Sequence, residues 1–143
     1  FRRDPAARIL ILGDFNDEPS SRSIRTVLDV EPYPAPSGRY VATNLYNLSN
    51  VKSDQGLGSF SHSFDGETEW RMYDQIIVSG ALLQSSAIES DQDLFRIHKP
   101  DYMTEASGHD KGAPVPTFEN QEHYEGGYSD HFPVGARFIQ LQP

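Results

Sequence analysis

The chain has no cysteine. That removes disulfides, thiolate nucleophiles and cysteine-ligated zinc together, and leaves the redox compartment unmarked. It has no long apolar run either: nothing approaches the roughly 18 residues a membrane-spanning helix needs. Internal repeats and low-complexity tracts are absent. Positive charge is scarce. Twelve Lys and Arg against twenty-one Asp and Glu give a formal net charge of −9, a poor surface for capturing duplex nucleic acid, which relies on basic side chains displacing counterions. A phosphate-bearing substrate stays open, because a bound divalent cation can reverse the local field.

The 143 residues suit one domain. The start, Phe1-Arg2-Arg3-Asp4-Pro5, reads as the interior of a longer chain, so the lack of a signal segment says nothing about secretion. Ile9-Leu10-Ile11-Leu12 then predicts a buried strand over residues 8–12, closed by Gly13-Asp14-Phe15-Asn16. If strand geometry continues, Asp14 and Asn16 share one side. A carboxylate can take a proton or a metal, and a carboxamide can hydrogen-bond a substrate oxygen without adding charge. The same tetrapeptide also suits a tight turn.

A serine N-cap after Pro19 predicts a helix over residues 22–30, with Ile24, Val27 and Leu28 on its apolar stripe. Pro32, Pro34 and Pro36 make residues 31–39 a loop. Residues 40–51 are ambiguous between a short helix and turns. Residues 58–64 alternate as a strand, Asp65-Gly66 signals a hairpin, and residues 70–79 return with the core run Ile76-Ile77-Val78. Residues 81–88 pack on that strand, residues 94–97 form another, residues 98–128 are loop-like, and residues 134–141 are the last strand. The expected class is α+β with a mainly antiparallel sheet.

Polar residues gather at strand ends: Asp14 with Asn16, Asp74 before Gln75-Ile76-Ile77-Val78, and Asp130 with His131. Asp74 must be exposed, paired or hydrogen-bonded, since an isolated buried charge is very costly. The ordered set Gly13-Asp14-Phe15-Asn16, Tyr73-Asp74-Gln75-Ile76 and Ser129-Asp130-His131-Phe132-Pro133-Val134 resembles the C-terminal half of the endonuclease/exonuclease/phosphatase superfamily, the deoxyribonuclease I-like fold. It is most similar to the secreted or periplasmic bacterial branch. Each motif is weak alone; the set in this order is specific.

The resemblance implies a four-layer α/β sandwich and Mg²⁺- or Mn²⁺-dependent hydrolysis of a phosphate ester. Carried over, Asp14 orients or deprotonates the attacking water and also faces the metal, and Asn16 bonds the phosphate. His131 acts in acid–base chemistry, held by Asp74, and Asp130 lies on the metal side. The family's N-terminal half, with the principal glutamate ligand, is not in residues 1–143. Glu18, Glu31 and Glu67 lack its context. The chain alone is therefore expected to be inactive, with an exposed apolar sheet face that pairs with its missing half or with itself. Substrates range from a nucleotide or inositol phosphate to a lipid head group, with nucleic acid open but disfavoured. A non-catalytic binding module that keeps the fold is the alternative.

Other residues read more plainly. His62 suits a packed or hydrogen-bonded sheet histidine ahead of a ligand, and Trp70 an anchor of the hairpin on the core ahead of a substrate-stacking ring. Lys99 and Lys111 are able to meet a phosphate or a head group, but they and the histidines of residues 98–128 better suit a solvated rim of the site, and Gly126-Gly127 a turn into Ser129.

Overall fold

The computed structural model describes residues 3–35, 37–64, 67–87, 94–119 and 122–140. Its centre is a sheet in the order β1 (Leu10–Asp14), β6 (Asp74–Ser79), β3 (Leu45–Asn47), β2 (Val30–Pro32). β6 runs antiparallel to both neighbours, and β2 runs parallel to β3. Among the described residues four two-stranded ladders accompany it: β4 (Phe60–Phe64) with β5 (Glu67–Arg71), β8 (Phe95–Ile97) with β11 (Val134–Ala136), β7 (Ser86–Ala87) with β12 (Ile139–Gln140), and β9 (Phe118–Glu119) with β10 (His123–Tyr124). The helices are short: α1 (Asn50–Ser53), α2 (Gly80–Ser85) and single turns at Ser23–Val27 and Asp101–Met103. The class is mixed α+β and mainly antiparallel.

Alternation along β6 divides the core. Ile77 is fully buried with Ile24 and Val30, and Ile11, Phe15 and Leu45 close that side. Ile76 and Val78 face the larger cluster of Tyr46, Leu48, Met72, Leu83, Leu94 and Phe95. Leu10 and Leu12 pair with Val78 and Ile76, so they point to that same larger face. They lie beyond its cover, 47% and 64% exposed.

Several expected elements change. The strand at residues 8–12 is an edge strand shifted to Leu10–Asp14, and only Ile11 of its centre packs. The predicted helix shrinks to Ser23–Val27. Ile24 alone is buried there, Val27 is 75% exposed, and Ser21 accepts the Glu18 N–H through its hydroxyl instead of capping. Residues 31–39 are not all loop: Val30–Pro32 pairs with β3, and Pro32 itself lies opposite Asn47 on an edge strand, where a missing N–H is tolerated. Residues 40–51 hold both a strand and a helical turn. The returning strand of the hairpin is β5, and the chain leaves it at Met72-Tyr73 to join the main sheet as β6. Residues 98–128 include the short ladder β9–β10, and the last strand breaks into β11 and β12 of different ladders. Asp65-Gly66 falls outside the described residues.

Candidate active site

β1 and β6 end in register so that Asp14 lies directly opposite Asp74. Two carboxylates opposed across an antiparallel pair destabilise a sheet, and here a histidine is bonded to one of them and feels the charge of both. His131 Nδ1 is 2.7 Å from Asp74 Oδ2, in a part-buried pair with side chains 20% and 19% exposed. Asp74 Oδ2 also accepts the Ser59 hydroxyl at 2.6 Å. The bond to Asp74, opposed by burial and helped by the charges of Asp74, Asp130 and Asp14, holds His131 above its ordinary pKa. Burial alone would raise Asp74, but hydrogen bonds from His131 and Ser59 outweigh it and hold the carboxyl below its usual range. With Nδ1 committed, Nε2 is the nitrogen left for a ligand.

The supports come from β4 and the turn before β11. The Phe132 N–H donates to Ser59 O at 2.7 Å, and Phe60 forms an isolated antiparallel bridge with His131. The Phe60 ring lies 4.9 Å from the imidazole and stacks on Tyr73 at 5.5 Å. A Cβ on Gly58 would meet Arg71 backbone at 2.4 Å, so a residue without a side chain lets β4 begin against β5. Gln75, fully buried, ties the loop after β1 to the sheet: its amide donates to Asp17 O and Met72 O, and its oxygen accepts from Asn47 at 2.6 Å.

Asp14, Asp74, Asp130 and His131 thus converge at one end of the sheet. Asp14 and Asp130 are exposed beside the half-buried pair. Asn16 does not extend β1. Its φ of +50° is left-handed, a region asparagine tolerates better than most residues, and its N–H donates to Asp14 Oδ1 at 2.7 Å. The turn and the polar site are the same tetrapeptide. Glu18 accepts the Met72 N–H, a structural use. His62 is exposed and lines a cavity of about 580 Å³ with Glu105, Asp110, Glu125 and Asp130, so it is not packed as expected. Trp70 does anchor the hairpin, stacked on buried Phe132 at 6.2 Å. His123 and Glu125 form a loose exposed pair at 3.8 Å.

Ser59 and Phe60 were not visible as site residues in the sequence, where they look like one more alternating pair of a strand. Among the described residues no three His, Asp or Glu side chains group as a metal centre. The donors at the His131 end, Asp14 and Asp130, are hard carboxylate oxygens of the kind Mg²⁺ prefers, and that ion takes one or two carboxylates and completes its shell with water.

No curated protein and no solved structure matches the chain. A family model described as Endonuclease/Exonuclease/phosphatase family matches residues 1–141, nearly the whole sequence. The chain belongs to the endonuclease/exonuclease/phosphatase family, whose members are in general hydrolases of phosphate esters.

Proposed function

We propose that this chain carries the catalytic half of a divalent-metal phosphoesterase site, in which His131 and Asp74 serve the phosphate and Asp14 serves water. The observation that carries it is the 2.7 Å His131–Asp74 bond placed directly across from Asp14. A protonated His131 offsets charge that develops on phosphorus and can hand its proton to the departing oxygen. Asp74 fixes the ring nitrogen that faces outward, and Ser59 fixes Asp74. Asp14, exposed at the strand end, orients or deprotonates a water, and Asn16 presents a neutral donor to a phosphate oxygen. Mg²⁺ or Mn²⁺ held by Asp14 and Asp130, with further ligands from outside residues 1–143, would polarise a phosphoryl oxygen and acidify a bound water.

In this reading the complete domain is the four-layer sandwich of the family, and the bare strip of Leu10 and Leu12 is covered by its other half. The chain alone is then inactive or nearly so. The carboxylates of the cavity that reaches Asp130 would repel a long polyanion, which favours a small or lipid-derived phosphate ester over duplex nucleic acid. The test uses the full-length parent with Mg²⁺ on a generic phosphodiester and a phosphomonoester. His131→Ala and Asp14→Ala should each lower kcat by about 10²–10⁴. A parent that turns over neither substrate with any divalent metal is a binding module instead.

A further inference from the structure

We propose that the pocket between α1 and β8 is a second, separate site that binds a phosphate group carried on a small organic body. The pocket measures about 440 Å³ and is lined by Lys52, Leu57, Arg96, Ile97 and Lys99. Three of the chain's twelve basic residues therefore share one concavity, with no carboxylate among the described residues that line it. In a chain of net charge −9 that segregation is unusual, and it contrasts with the acidic cavity at Asp130.

One of these cations is fixed in place. Lys99 Nζ lies 3.7 Å from the centroid of the Trp70 ring and 5.1 Å from that of Phe132. Two stacked rings give the ammonium a seat. Its partial desolvation there pushes the lysine below its ordinary pKa, and an arriving anion would reverse that. No described carboxylate pairs with Lys52 or Lys99. A phosphate monoester, with close to two negative charges near pH 7, matches the two lysines better than a carboxylate does. Leu57 and Ile97 supply an apolar wall for the organic part.

The pocket lies behind the catalytic pair. On the β4–β5 hairpin Phe60 pairs with Arg71 and Ser61 with Trp70, so Phe60 with His131 and Trp70 with Lys99 occupy opposite faces. The site stands whether or not His131 hydrolyses anything.

Trp70 is the only tryptophan, so its fluorescence reports directly on this pocket. Inorganic phosphate and phenyl phosphate are titrated in chelator at constant ionic strength, with ³¹P line broadening as a second readout. Both should give saturable changes, with phenyl phosphate tighter and half-saturation below about 1 mM. Lys52→Ala and Lys99→Met should weaken binding at least tenfold, Lys99→Arg should retain it, and His131→Ala should leave it unchanged. Vesicles with and without phosphatidic acid distinguish a lipid head group, which would sediment the protein, from a free organic phosphate, which would not. Binding lost in His131→Ala and kept in the lysine variants would place the anion in the catalytic site and overturn the proposal. So would an equal response to chloride, or no saturation with any of the probes.

Discussion

At the scale of single residues, the His131–Asp74–Ser59 chain is a set of coupled protonation states. His131 is held above its ordinary value near 6.5 and Asp74 below its ordinary value near 3.8. A raised histidine contributes stability fully below its unfolded pKa and loses it as pH rises through the folded one. A depressed aspartate contributes above its unfolded pKa and loses it as pH falls through the folded one. The pair therefore stabilises the fold most between the two ordinary values, with losses above the first and below the second. Asp74→Asn in metal-free protein should return His131 toward its ordinary pKa and cost about 1–3 kcal/mol near pH 5.5. Ser59→Ala should do less of both, because His131 still bonds Asp74. Imidazole proton NMR and urea titrations over pH 4–8 measure these changes, and an unshifted His131 in Asp74→Asn would remove the pair as the cause. The gathering of Asp14, Asp74, Asp130 and His131 at one end of the sheet was legible because three ordered motifs name them. Ser59 was not, because a serine beside a strand has the same local signature whether it meets water or a carboxylate.

At the scale of elements, β1 shows how far an apolar run can mislead. Ile9-Leu10-Ile11-Leu12 reads as uniformly buried, yet burial depends on what covers each face, and that is set by residues far along the chain. Ile77 is fully buried on one face of β6, while Leu12, paired with Ile76, is 64% exposed on the other. Ile77→Ala should therefore cost about 2–5 kcal/mol, and Leu12→Ala no more than about 0.5 kcal/mol. Equal losses in urea denaturation would show that β1 is covered in solution. The β4–β5 hairpin makes a sharper case. Gly58 admits no Cβ without moving Arg71 backbone, so Gly58→Ala should cost about 1–3 kcal/mol by overpacking and shift the Ser59 and His131 resonances together. β4 was readable from alternation and β6 from its unbroken apolar run. The helix over residues 22–30 was not, because Val27 and Leu28 supply apolar spacing without a surface to meet. Nor was the split of the returning strand, since Met72-Tyr73 carries no turn signal.

At the scale of the whole molecule, charge is sorted. At the His131 end Asp14 opposes Asp74 and the Asp130 cavity adds Glu105, Asp110 and Glu125, while Lys52, Arg96 and Lys99 line a different pocket. Such crowding leaves the His131 end under self-repulsion, which a divalent cation would relieve. In the proposed site Asp14 and Asp130 would supply two ligands of a set that the described residues do not complete, so Mg²⁺ should bind weakly, with Kd of about 1 mM or above. Binding to the folded state alone adds RT ln(1 + [L]/Kd), which at 10 mM Mg²⁺ gives at most about 1.4 kcal/mol. That gain should vanish in Asp14→Asn and persist in Lys52→Ala, compared at matched ionic strength with NaCl. Calorimetric titration of Mg²⁺ decides the matter: a Kd in the micromolar range would mean that residues 1–143 complete the metal site by themselves, and the expected need for an outside glutamate would fall with it.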